Sequence, residues 1–181
     1  AFARTRATAM QPCLIERLRA CALGAGILGL ASGCVSHLAD TADASMKTAA
    51  DLVPDRWNEL ETGGDTACAN GTPYSFFVHP GTTENLVIDF AGGGACWDEA
   101  TCRAGDFTKD VGDLRRAVRS GYSSGIYDRT SGANPFANDW HVLVPYCTGD
   151  VHWGDAVVTY GQGDKAFTIH HKGAANARAV L

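Results

Sequence analysis

The residues of this chain best suited to chemistry begin with Phe90-Ala91-Gly92-Gly93-Gly94-Ala95-Cys96-Trp97. Consecutive glycines after an apolar run let the backbone turn sharply and bring N–H groups against a ligand with no Cβ in the way. Such groups can hold a phosphate or stabilise the oxyanion of acyl transfer. A phosphate loop would continue into Gly-Lys-Ser/Thr, but Cys96 follows here. By itself the triplet is equally well a tight turn. A second dense segment is Pro145-Tyr146-Cys147-Thr148-Gly149-Asp150-Val151-His152-Trp153-Gly154-Asp155, where polar, aromatic and glycine residues crowd together. Its plainer reading is a structural loop in which Asp150 caps backbone amides and His152 is exposed.

Both segments need elements to position them. Residues 74–79 (Tyr-Ser-Phe-Phe-Val-His) read as a strand stopped by Pro80-Gly81. Residues 86–91 (Leu-Val-Ile-Asp-Phe-Ala) form a short apolar run, as expected of a buried strand. Residues 141–146 (His-Val-Leu-Val-Pro-Tyr) make a third, ended near Pro145. In residues 106–120, Phe107, Val111, Leu114 and Val118 recur at helical spacing, with Asp106 able to cap the start and Gly121 the end. From about His171 an Ala-rich stretch predicts a last helix. Strands alternating with helices favour an α/β fold with a mostly parallel sheet. In such sheets ligands bind beyond the carboxyl ends of the strands, where both dense segments lie.

Charge and cysteine usage narrow the setting. Residues 1–33 hold four arginines and one acid, so the remainder carries 11 basic and 19 acidic groups, a net −8. That balance argues against nucleic acid as the main ligand. Arg17 and Arg19 precede the apolar run 20–31, and Ala-Ser-Gly-Cys follows at 31–34. This pattern predicts an export signal starting at Met10, with upstream residues before it and Cys34 as a lipidated first residue of the mature chain. The 12-residue run is short of the roughly 20 needed to span a bilayer. Residues 34–56 then form a tether and 57–181 the folded body. Gly24-Ala25-Gly26-Ile27-Leu28-Gly29 matches a dinucleotide fingerprint, but no strand precedes it. With Cys13 and Cys21 in the leader, Cys68, Cys96, Cys102 and Cys147 remain. An even count in an exported chain predicts two disulfides rather than a metal site. Three connectivities exist; the short loop between Cys96 and Cys102 favours that pair, leaving Cys68 with Cys147.

Gly-Gly-Gly-Ala-Cys-Trp (92–97), Asn-Pro-Phe (134–136), the 145–155 segment and His-His-Lys-Gly-Ala-Ala-Asn-Ala-Arg (170–178) together resemble the pectin acetylesterase/Notum family, especially its bacterial exported members. The resemblance runs from about Trp57 to the last residue. It implies the N-terminal part of an α/β-hydrolase-like serine carboxylesterase acting on acyl esters of glycans such as an acetylated polysaccharide, or on related esters, without metal or organic cofactor. It further implies that the backbone N–H groups of Gly93 and Gly94 belong to an oxyanion hole. Trp97, Asp150, His152 and Trp153 match family positions near the pocket. The nucleophile elbow, triad acid and triad histidine are expected beyond Leu181, which predicts an inactive fragment.

Gly121-Tyr122-Ser123-Ser124-Gly125 also matches Gly-x-Ser-x-Gly, but it follows a helix end where an elbow requires a preceding strand. A rival from another class is a non-catalytic surface or carbohydrate-binding lipoprotein, with Trp97, Trp140 and Trp153 stacking on sugar.

Overall fold

The computed structural model describes residues 3–6 and 49–181. The apolar runs become the middle of a five-stranded sheet: β1 (Ala3–Arg6), β2 (Asn58–Glu61), β3 (Ser75–His79), β4 (Asn85–Phe90) and β5 (Trp140–Val144), in the order β1-β4-β5-β3-β2. Only β4 and β5 run parallel, in register from Leu86↔Trp140 to Phe90↔Val144; the other three pairings are antiparallel. The α/β class therefore holds, but the sheet is mixed where a mostly parallel one is expected.

A parallel pair needs a long crossover. Here it carries α1 (Glu99–Ala104) and α2 (Gly112–Arg119). Asp98 and Thr101 form a reciprocal capping box at the start of α1. Alternation along β3 and β5 sends Phe77 and Leu143 to one face, where Val118 and Leu114 of α2 cover them. Phe76, Ile88, Val142 and Val144 turn to the opposite face and pack with Tyr74, Val111 and Val180 of α3 (Gly173–Val180). The Cys68–Cys147 disulfide lies in that second core, and Cys96–Cys102 lies in a third with Phe107 and Ile169.

Several expectations change in detail. The helix expected over 106–120 forms only from Gly112, because Phe107 pairs with Gly94 in an isolated antiparallel bridge and is buried there. Asp106 consequently caps nothing at α2; Gly112 N–H donates to Asp110 instead (2.6 Å). A separate antiparallel hairpin, β6 (Ala156–Tyr160) and β7 (Phe167–His171), is not among the expected elements. The predicted leader core and Cys34 lie outside the described residues. Among the described residues no helix is long and apolar enough to cross a membrane.

Candidate functional site

Both dense segments do leave the carboxyl ends of the parallel pair. The glycine loop is held by its backbone: Ala91 N–H donates to Val144 O (3.0 Å), Thr108 N–H to Gly93 O (2.7 Å) and Cys96 N–H to Gly149 O (2.8 Å). The disulfide from Cys96 to Cys102 ties its far end to α1. No hydrogen bond donated by the N–H of Gly93 or Gly94 is found among the described residues.

The three glycines are not equivalent. A Cβ on Gly93 would fall 2.5 Å from Tyr146 Cδ1 and 2.7 Å from Thr108 Oγ1. Gly94 has φ +80°, and its Cβ would sit 2.2 Å from Asp106 O. Around Gly92 nothing lies within 4 Å. Close packing and left-handed backbone thus require glycine at positions 93 and 94 only.

The 145–155 segment is tied to this loop and to α3 by one carboxylate. Asp150 Oδ1 accepts from Thr148 Oγ1 (2.6 Å) and His152 N–H (3.1 Å), while Oδ2 accepts from Gly173 N–H (2.7 Å). Asp150 therefore serves as a backbone clamp at the start of α3. The clamp drives Val151 and His152 into the left-handed region, with φ of 52° and 63°. That is costly for a β-branched residue. Tyr146 Oη accepts from Val151 N–H (3.0 Å) and stabilises the turn. Burial, countered by that bond and aided by Asp150, raises the Tyr146 pKa and keeps the phenol neutral.

His152 connects the two segments. Its Nε2 lies 3.0 Å from Ala91 O, so the proton sits on Nε2 when this bond is made. Its ring is edge-on between Phe90 and Tyr146, with centroids 5.1 and 5.0 Å away. Trp97 and Trp153 project outward, 74% and 83% exposed, with Val151 and Phe90 also exposed. Trp140, by contrast, is half-buried in β5.

Two groups missed as site residues shape the surroundings. Asn176, buried on α3, accepts from Ala67 N–H (3.1 Å) and donates to Ala67 O (2.9 Å), clamping the segment that carries Cys68. His171 lies near Cys96 and Cys102, the one cluster among the described residues with metal-ligand proximity. Those sulfurs are joined to each other, and the His171 nitrogens lie 2.9 Å from Thr148 O and 3.1 Å from Tyr160 Oη. That donor set does not fit a metal ion. Ser123 follows the C-terminus of α2 and lines a cavity with His79, to which neither Asp150 nor His152 contributes.

The Pectinacetylesterase family description matches residues 57–181. No curated protein matches the chain. Among solved structures, one of the Wnt deacylase Notum from Drosophila (crystal form II) is 19% identical, with a TM-score of 0.46. The match covers 69% of this chain and 37% of that one. A second crystal form gives 19% identity and a TM-score of 0.43, covering 69% of this chain and 35% of the other. The chain thus spans little more than a third of the length of these structures.

Proposed function

Since the chain belongs to the pectinacetylesterase family, we propose that it is the N-terminal part of an exported serine carboxylesterase whose nucleophile lies beyond Leu181. The supporting observation is the pair of N–H groups at Gly93 and Gly94, uncommitted among the described residues and set where packing admits no side chain. In this reading a serine gives its proton to a histidine and attacks the ester carbonyl, and the alcohol leaves with that proton as the acyl-serine forms. Gly93 and Gly94 donate to the oxyanion, where loss of one donor typically costs ~10²–10³ in rate. Water then releases the acid. The Asp150 clamp and the His152 bond to Ala91 hold the hole against the start of α3. Trp97 and Trp153 form an apolar rim for the substrate. A net charge of −8 on residues 34–181 disfavours long-range attraction to a polyanionic glycan, so neutral acetylated glycans and small esters are the better substrates. The two disulfides support an oxidising compartment. Lipidation at Cys34 would then tether the enzyme to a membrane.

The test is hydrolysis of 4-nitrophenyl acetate by the 181-residue chain and by a form continued through its downstream coding sequence. The longer form should turn over the ester and the shorter should not; no turnover by the longer form would remove the esterase reading. The exposure of Trp97 and Trp153 favours one second reading, a sugar-binding surface without catalysis. Glycan binding by both forms with hydrolysis by neither would select it.

A further inference from the structure

The Cys96–Cys102 bridge has a third donor beside it. One imidazole nitrogen of His171 and the two sulfurs lie within 4.8 Å of one another, and all three residues are buried. They come from separate elements: Cys96 follows the glycine loop, Cys102 sits on α1 and His171 ends β7. Nitrogen and sulfur ligands of a tetrahedral zinc ion stand roughly 3.5–3.8 Å apart. The farthest pair here exceeds that spacing by about 1.3 Å at most. The two sulfurs, once no longer bonded to each other, spread to it by side-chain rotation.

The imidazole is already oriented as a ligand. A carbonyl only accepts, so the 2.9 Å contact of Nδ1 with Thr148 O puts the proton on Nδ1 and the lone pair on Nε2. A ring N–H donated to a backbone carbonyl is the usual support of a metal-bound histidine. Nε2 receives the Tyr160 hydroxyl at 3.1 Å, and Tyr160 is only partly buried, so one hydroxyl is what an incoming ion displaces. Charge selects the ion. The cluster packed around the three donors is apolar: Ala69, Phe107 and Ile169, edged by Tyr160 and Phe167. Two thiolates and a neutral imidazole cancel a divalent cation, so the loaded site is neutral and suits such surroundings. A monovalent soft ion would leave a net negative charge there, and Mg²⁺ or Ca²⁺ requires oxygen donors.

We propose that Cys96, Cys102 and His171 form a latent site for zinc or a zinc-like divalent ion, available when the Cys96–Cys102 bond is reduced. A dithiol gives the disulfide two electrons and two protons and leaves as its own disulfide. The ion then takes the two sulfurs as thiolates, and their two protons pass to solvent. The fourth position is left to water. In the reduced chain the ion supplies the tie between the glycine loop and α1 that the disulfide supplies after oxidation. The inference stands independently of the esterase reading.

The test is zinc binding by the 181-residue chain, untreated and after reduction with a phosphine that is then removed without oxygen. Cys13, Cys21, Cys34 and the Cys68–Cys147 pair also carry sulfur, so a Cys96→Ser/Cys102→Ser variant treated in the same way is the reference. The reduced parent should hold one more equivalent of zinc than that variant, with a Kd at or below about 1 µM. Untreated, the two should hold equal amounts. With cobalt(II) as the probe, the extra equivalent should show thiolate charge-transfer absorption and the strong visible bands of a four-coordinate ion. His171→Gln should weaken the extra equivalent about 100-fold. Tyr160→Phe keeps all three ligands and frees Nε2, so it should bind at least as tightly as the parent. Circular dichroism of the untreated variants checks that each is folded. Equal zinc in the reduced parent and the double-serine variant would overturn the proposal. So would undiminished binding by a folded His171→Gln protein, or loss of the extra equivalent in a folded Tyr160→Phe protein.

Discussion

Replacing Gly94 by alanine inserts one methyl group into a site with no room for it. At φ +80° an L-residue costs roughly 1–2 kcal/mol more than glycine. The new Cβ would lie 2.2 Å from Asp106 O and 3.0 Å from Phe107 Cα, both backbone atoms of the paired segment. The segment must retreat by more than an ångström, an overpacking cost of about 1–3 kcal/mol. The sum is about 2–5 kcal/mol, which for a chain of this size lowers Tm by roughly 4–20 °C. Gly93→Ala meets the Tyr146 ring and Thr108 without the left-handed penalty, so the overpacking cost of about 1–3 kcal/mol applies alone. Gly92→Ala meets nothing within 4 Å and has no positive φ. It should be neutral or stabilising by up to about 1 kcal/mol through the unfolded chain. Thermal and urea melts of the three variants, compared at constant m-value, read these differences directly. If Gly92→Ala loses as much stability as Gly94→Ala, or if Gly94→Ala melts like the parent, the account of this loop is wrong.

Val151→Gly should raise stability by about 1 kcal/mol in urea melts, because relief of the left-handed β-branched residue outweighs the little packing that an exposed side chain loses. Removing the Cys68–Cys147 bridge, with a sequence separation of 79, should destabilise by about 4.5 kcal/mol on loop entropy, against about 2 kcal/mol for Cys96–Cys102 with a separation of 6. Paired Cys→Ala melts check the order, which the loop-entropy account requires. Burial, the largest influence on His79 and His141, lowers both pKa values from 6.5. As pH falls below 6.5 the unfolded chain therefore binds more protons, so their contribution to stability is full above that pH and is lost as pH drops toward the folded values. The urea midpoint of His141→Gln should fall less between neutral pH and about pH 5 than that of the parent.

Local patterning carried much of the fold. The strands expected at 74–79, 86–91 and 141–146 form as Ser75–His79, Asn85–Phe90 and Trp140–Val144, because short apolar runs ended by Gly or Pro admit few other conformations. Both disulfides join the favoured pairs. The hairpin β6–β7 was missed: Ala-Val-Val-Thr-Tyr does not alternate, and the six-residue connection containing Gly161 and Gly163 is longer than the short loops that mark a hairpin. Phe107 could not be placed by periodicity. Its helical spacing to Val111 is real, but its pairing with Gly94 and burial with Cys96 and Ile169 involve residues distant in the chain.

The candidate site divides in the same way. From sequence alone come the residue types, the glycine loop after a strand and the family resemblance, since each is a property of neighbouring residues. The antiparallel neighbours that flank the one parallel pair were decided by tertiary structure, because strand direction depends on where distant segments dock. So was the difference between Gly92 and its two successors, which exists only once Tyr146, Thr108 and Asp106 are packed against the loop. The same holds for Asp150: a carboxylate type suited to catalysis is occupied by Thr148, His152 and Gly173 because the fold brings the start of α3 within 2.7 Å of its oxygen.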